Sequence, residues 1–363
     1  MTSAMRHLRW SGATRPRLAW LLPLIPVSAI AAFVTHHPLL TFLTSAVALV
    51  PLAELIGIST EQVALHAGPR TGGLLNASLA NITELIVAIF LILGGQPTVV
   101  KAALSGAILG NLLLVLGVAL FAGGLSRRDQ RYSGPAAGVH AASLALAVTG
   151  FLMPGLFVQT MGQPSVLQRE VVSGAVAAIL IVLYALALVF THVNRAHLFR
   201  TPAATEEPVW PLAAGITVLV GASALVAVES WMLTGALEPA LIGLGLSKFF
   251  AGLIIIPLIS NVAEHSAAVR FALQDKLDIT LEIAIGSSTQ IALFVAPILV
   301  FISLAVGRPM DIVFSTFEVA AVGLSTLIIA LISHDGRSNW LEGAQLVAAY
   351  LIIAASAFFV TSL

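Results

Sequence analysis

Ser260-Asn261-Val262-Ala263-Glu264-His265 follows the apolar run Leu253 to Ile259, in a stretch that continues to Pro297 and also holds Gly286-Ser287-Ser288-Thr289-Gln290. A carboxylate and an imidazole among aliphatic residues are costly in such a run, and where they occur they mark a functional site. The pattern is present twice. Asn81-Ile82-Thr83-Glu84 repeats Asn-x-x-Glu in the first half of the chain, at a shift of 180 residues.

Around these stretches, 58% of the 363 residues are hydrophobic and 9% are charged, with a mean hydropathy of +1.01. Soluble domains carry about one quarter charged residues, so the composition implies an integral membrane protein. A helical span needs about 20 apolar residues. Eleven runs qualify as expected spans: 18–35, 38–57, 71–93, 98–122, 135–155, 171–191, 209–230, 241–270, 278–304, 311–332 and 340–361. They are too long and too uniformly apolar for barrel strands, which leaves an all-α bundle. A net charge of zero argues against nucleic acid, and the absence of cysteine excludes disulfides, thiolate metal sites and cysteine nucleophiles. The basic, then apolar, N-terminus is read as a retained first helix, because no small-residue cleavage site follows it.

Basic residues set the expected orientation. With the N-terminus in the cytoplasm, the inner side holds Arg6, Arg9, Arg15, Arg17, Arg70, Arg127, Arg128, Arg131, Arg195, Arg200, Arg270, Lys276 and Arg337, which is 13 of 17. Lys101, Arg169, Lys248 and Arg308 remain outside, and eleven spans then put the C-terminus outside. The expected organisation is a basic segment and extra helix over 1–37, a five-helix repeat over 38–191, a cytoplasmic linker over 192–208 and a second five-helix repeat over 209–363. At the shift of 180, Gly72 falls on Gly252, Asn81 on Asn261, Glu84 on Glu264, Ala88 on Ala268, Gly106 on Gly286, Leu113 on Leu293 and Val115 on Val295. The third and eighth spans are an odd number of crossings apart, so the copies run in opposite directions. That is an inverted-topology repeat, whose substrate site is expected near the midplane. With a rise of about 1.5 Å per residue, Glu84 and Glu264 each lie on the order of 20 Å along their helices from opposite faces, so the two carboxylates are expected to meet.

Asn and Glu three residues apart share a helix face, so each half offers one carboxylate and one amide oxygen. Hard cations such as calcium take six to eight oxygens. Asn111, Ser287, Ser288, Thr289 and Gln290 are the expected secondary donors, with His265 and Glu318 as candidates for a proton route. Two carboxylates in a low dielectric do not both stay ionised unless a cation neutralises them. Proton and metal therefore compete for the same oxygens. The empty, doubly ionised site is costly to reorient and the loaded ones are not, which implies exchange rather than leak. Gly106-x-x-x-Gly110 reads as helix packing. Glu54 and Glu342 read as solvated or capping groups, Asp278 and Glu282 as acids favoured early in a helix, and His36, His37 and His140 as structural or solvated.

With those residues in view, the chain resembles the calcium/proton antiporters of the cation exchanger family. The likeness rests on Glu61-Gln62, Gly72 to Ala77, Asn81 to Ile86 and Gly110 to Gly117 in the first half. In the second it rests on Asn261 to His265, Asp278-Ile279, Gly286 to Val295 with Ala296-Pro297, and Asp335 to Gly343. Ala80 and Ser260 stand where that family usually has Gly before the Asn. The resemblance implies an eleven-helix exchanger with alternating access, in which Glu84 and Glu264 alternately take calcium and protons beside Asn81 and Asn261. It also implies export of cytosolic calcium, with the bacterial inner membrane as the expected location and no cofactor besides the transported ions. Exchange of manganese or another divalent ion, coupling to sodium, and a passive cation channel stay open. An intramembrane enzyme finds no support, since the chain has no His-Glu-x-x-His, no Gly-x-Ser-x-Gly and no cysteine.

Overall fold

The computed structural model describes residues 16–127, 129–162, 164–191 and 207–360. The expectations placed on Arg6, Arg9, Arg15, Arg128, Arg195, Arg200 and most of the 192–208 linker lie outside the described residues. The chain forms helices α1 (Ala19–Thr35), α2 (Pro38–His66), α3 (Gly68–Leu79), α4 (Ile82–Leu93), α5 (Pro97–Ser126), α6 (Gly134–Met161), α7 (Val166–Val189) and α8 (Leu212–Leu244). Then follow α9 (Lys248–Ser260), α10 (Val262–Leu273), α11 (Leu277–Ala305), α12 (Thr316–Ile332) and α13 (Trp340–Phe358). Two short antiparallel strands, β1 (Gln130–Arg131) and β2 (Arg337–Ser338), join the loops.

Every expected run coincides with a helix or a broken helix, and the exact count of eleven spans is not confirmed. Among the described residues eight helices are long and apolar enough to cross a membrane, with α3 and α4 counted as one from Thr71 to Leu93, and nine if α9 and α10 form one bent span. α1 and α12 are apolar but shorter. α12 starts later than the expected 311 because Ser315 and Glu318 close a capping box there, each side chain meeting the other's backbone N–H. The boundary between the seventh and eighth runs also moves. α8 continues to Leu244, ends on left-handed Gly245 (φ 65°), and α9 begins on the Ser247 cap. Element bounds recur at the shift of 180: α4 and α10 are both 12 residues long, α5 and α11 start at 97 and 277, and wide i→i+5 turns occupy Gly110–Val115 and Ile291–Val295.

By packing, the chain divides into two compact units that cut across the sequence halves. The first takes the chain to Gly94, Leu188–Gly245 and Ile259–Ala263; the second takes Gly95–Ala187, Leu246–Leu258 and the chain from Glu264 on. In the first unit α2 lies along α8. Gly215 lets the helices close, with its missing Cβ 3.1 Å from Val63. Gln62 Oε1 accepts the N–H groups of Val209 (2.8 Å) and Trp210 (3.1 Å), satisfying backbone that precedes α8 and would otherwise be orphaned. Glu54, inside α2 because that helix runs on to His66, accepts the N–H groups of Arg17 and Leu18 at the start of α1.

In the second unit α5 packs on the start of α9 through reciprocal glycines. A Cβ on Gly106 would strike the Leu253 carbonyl, and one on Gly252 would lie 2.7 Å from Ala102 Cβ and 2.8 Å from Val99 O. Gly343 is packed as tightly against Gly117 and Phe121. The loops close through β1–β2 and through Tyr132, whose hydroxyl lies 3.0 Å from Ile332 O and 3.1 Å from Arg337 O. Burial, then the Asp335 and Glu342 carboxylates, hold that phenol above its ordinary range. The expected glycine pair splits, since Gly110 meets nothing within 4 Å. Gly106→Ala is therefore expected to destabilise by roughly 1–3 kcal/mol, whereas Gly110→Ala gains helix propensity of up to about 1 kcal/mol. Paired thermal unfolding in detergent checks the contrast, and equal midpoints would disprove it.

Candidate functional site

The Asn-x-x-Glu motifs lie where spans break. α9 and α10 meet at 61°, with Asn261 between them, and Asn81 separates α3 from α4. Asn81 occupies the N-cap place of α4, with φ −98° and ψ 26°. An asparagine there ordinarily accepts an N–H from two or three residues on. Asn81 makes no such side-chain bond, although it is 2% exposed. Its amide is thus not used to end its own helix. Glu84, half-buried, sits in the first turn of α4, where the positive end of the helix favours an anion. Asn261, in the same unit, is 1% exposed, and neither its amide nitrogen nor its oxygen has a protein partner.

In the second unit Glu264 holds the equivalent place in the first turn of α10. Ser287 Oγ donates to Glu264 Oε2 at 3.3 Å, and Asn111 Nδ2 donates to Ser287 Oγ at 3.4 Å. These bonds run one way, from amide to hydroxyl to carboxylate, which suits an accepting Glu264. Asn111 Oδ1 is left buried without a partner. A carboxylate, a hydroxyl and an open amide oxygen are thereby gathered on α10, α11 and α5, the kind of oxygen set a hard cation takes. Asn111 stands in the wide turn Gly110–Val115, and Ser287 follows another at Glu282–Gly286. Such turns often mark functional positions. His265 Nε2 is buried without a hydrogen-bond partner.

Other expected residues are placed differently. Ser288 donates to Ala284 O at 2.8 Å and Thr289 to Ile285 O at 2.8 Å, so both hydroxyls are turned back onto their own helix. Gln290 is half-buried. Glu318 is held by its capping box, with Ser105 Oγ 3.4 Å from its other oxygen. Asp278 accepts Ser133 N–H at 2.7 Å, and Glu282 pairs with His140 at 3.0 Å. Among the described residues no three Asp, Glu or His side chains cluster as a metal site. One buried acid escapes the sequence reading altogether. Ending the seventh run at 230 makes Glu229 look terminal, whereas α8 puts it mid-helix and 1% exposed.

Broken apolar helices with acids at the breaks define a polytopic membrane protein built as secondary transporters are. The family model described as "Sodium/calcium exchanger protein" matches residues 37–193 and 212–359, and the chain belongs to that family. It is 41% identical over 361 residues to a Ca(2+)/H(+) antiporter of Synechocystis sp., covering 93% of this chain and 96% of that one. To a Ca(2+)/H(+) antiporter of Aphanothece halophytica it is 39% identical, covering 93% and 95%. The crystal structure of the Ca2+/H+ antiporter protein YfkE superposes with a TM-score of 0.82 at 34% identity, covering 94% of this chain and 99% of that one. The resemblance to the cation exchangers seen in the motifs therefore holds across nearly the whole chain.

Because Asn261 is buried with both amide atoms unmet, Asn261→Ala removes a polar group that makes no hydrogen bond in the protein. Its unfolding midpoint in detergent without cation is expected to stay level or rise, rather than fall by the 1–3 kcal/mol, roughly, that loss of a bonded buried group costs. A fall of that size would mean the amide has a structural partner.

Proposed function

We propose that this chain exchanges calcium for protons across a membrane by alternating access, with proton entry driving cytosolic calcium out. The observation that carries the reading is the repeated Asn-x-x-Glu, set in both copies at a helix break and the first turn beyond it. Relatives over nearly the whole length that bear the name Ca(2+)/H(+) antiporter support it. In this reading Glu84 and Glu264 are the carboxylates that trade protons for calcium, Asn81 and Asn261 supply amide oxygens, and Ser287 with Asn111 supports Glu264. Two ionised carboxylates neutralise one calcium ion, and two protonated ones carry no charge. Emptied and ionised, the pair is costly to carry through an apolar layer, so return without a cargo is suppressed. The repeat bounds 38–191 and 209–363, the cytoplasmic N-terminus and a plasma-membrane location belong to the same proposal, supported by the basic-residue asymmetry and by bacterial relatives. The family description leaves sodium as the rival coupling ion.

Purified protein in liposomes with a pH gradient and no sodium is expected to move calcium, and movement that ignores the gradient would rule out proton coupling. Glu84→Gln and Glu264→Gln keep the shape and lose the charge. Each is expected to abolish uptake while eluting as folded protein, and normal uptake by either removes that residue from the mechanism. Acid pH on the calcium side should weaken calcium binding, because protons then occupy the ligating oxygens. The apparent affinity is expected to fall about tenfold per pH unit for each proton displaced and to level off once the carboxylates are fully ionised. A flat profile from acid to alkaline pH would show that proton and metal do not share ligands.

A further inference from the structure

One buried carboxyl takes no part in the chemistry above. Glu229, in the middle of α8, lies in the first packing unit among residues of α1 and α2. Ser28 Oγ on α1 is 2.8 Å from Glu229 Oε1 and 2.7 Å from the carbonyl oxygen of Ile25. Both separations are those of a fully formed O–H···O bond. A serine hydroxyl owns one hydrogen and a carbonyl owns none. If the serine hydrogen goes to Ile25, as the back-bond within a helix requires, the hydrogen of the second bond has to sit on Glu229.

The other side of the carboxyl points the same way. Oε2 is buried without a hydrogen-bond partner. Ser45 Oγ on α2 is likewise buried without a hydrogen-bond partner. Among the described residues no lysine, arginine or histidine pairs with it. An ionised carboxylate has about four acceptor positions to fill, and hydroxyls alone leave most of them empty and stripped of water. A neutral carboxyl needs one acceptor for its proton, and Ser28 Oγ is that acceptor. Nearby, Phe33 of α1 stacks on Trp231 with ring centres 6.0 Å apart, so the bond lies on the seam where α1 meets α8. Glu54 shows the opposite case, since its two oxygens receive two backbone N–H groups at the other end of α1.

We propose that Glu229 is a proton-binding site separate from the exchange carboxylates, one that keeps its proton through the transport cycle and in that form fastens α1 to α8. The proposal goes beyond the exchange reading and stands on different atoms.

Infrared spectroscopy of the full chain in lipid vesicles with saturating calcium tests it. A protonated-carboxyl stretching band is expected to persist under calcium, to be lost in Glu229→Gln and to shift in Ser28→Ala, which removes its acceptor. Glu229→Gln, whose amide can donate to the same Oγ, is expected to retain calcium uptake. A calcium-saturated spectrum without such a band, or one that Glu229→Gln leaves unchanged, overturns the proposal. Loss of uptake in Glu229→Gln also overturns it, by making Glu229 part of the exchange. Should Glu84→Gln and Glu264→Gln transport normally, the exchange assignment fails alone, because the band difference at Glu229 does not depend on it.

Discussion

Backbone N–H and C=O groups need partners wherever water is absent, and in a bilayer only an unbroken helix supplies them all from within. Each interruption inside a span is therefore a place where the protein must provide other partners or line a cavity. This chain breaks spans at Asn81 and at Asn261, and both times the next turn carries a glutamate. An asparagine in such a place usually ends the helix with its own side chain. The Asn81 side chain does not cap α4, and Asn261 has neither amide atom bonded. The turn that follows each break is a helix N-terminus, and its positive end is what makes a charged glutamate tolerable there.

Packing in each unit serves to hold those breaks. Where α5 meets α9, glycines at 106 and 252 let backbone touch backbone, with no side chain between to flex. The same α5 carries Asn111, and α11 carries Ser287, so the bond chain ending on Glu264 depends on helices fixed this closely. In the other unit the α2–α8 pairing is pinned by Gln62 on the segment before α8 and by the glycine contact at 215.

Periodicity and composition made the helices legible, because long apolar runs in a chain with 9% charge admit few other folds. The motif pair was legible for the same reason, since polar residues are rare enough there for a repeat to stand out. Helix ends were not. They were decided by local chemistry that hydropathy does not weigh: a left-handed glycine at 245 and a Ser–Glu capping box at 315 and 318. Those boundaries had consequences for the acids. Moving the end of α8 from 230 to 244 turned Glu229 from a terminal residue into a central one, and the capping box engaged Glu318, which depth alone had suggested for a proton route. Within Ser287–Gln290, polarity could not say which hydroxyl faces away from its own helix. Only Ser287 does so toward an acid, while Ser288 and Thr289 bond backward, as serine and threonine in apolar helices commonly do.

Glu264 and Glu229 thus differ in chemical kind, and the helix under each one separates them. Glu264 stands just past a break, receives a hydroxyl hydrogen and has an open amide oxygen two bonds away. Glu229 stands in an unbroken helix whose backbone groups are already used. Among the described residues it has one bonded hydroxyl and no ion-pair partner, and its other oxygen has no hydrogen-bond partner. A metal arriving there would find one carboxyl group and too few other oxygens to replace its water. Burial alone therefore does not distinguish the two acids; the helix break does, because a helix end tolerates a carboxylate's charge where the middle of an unbroken helix does not.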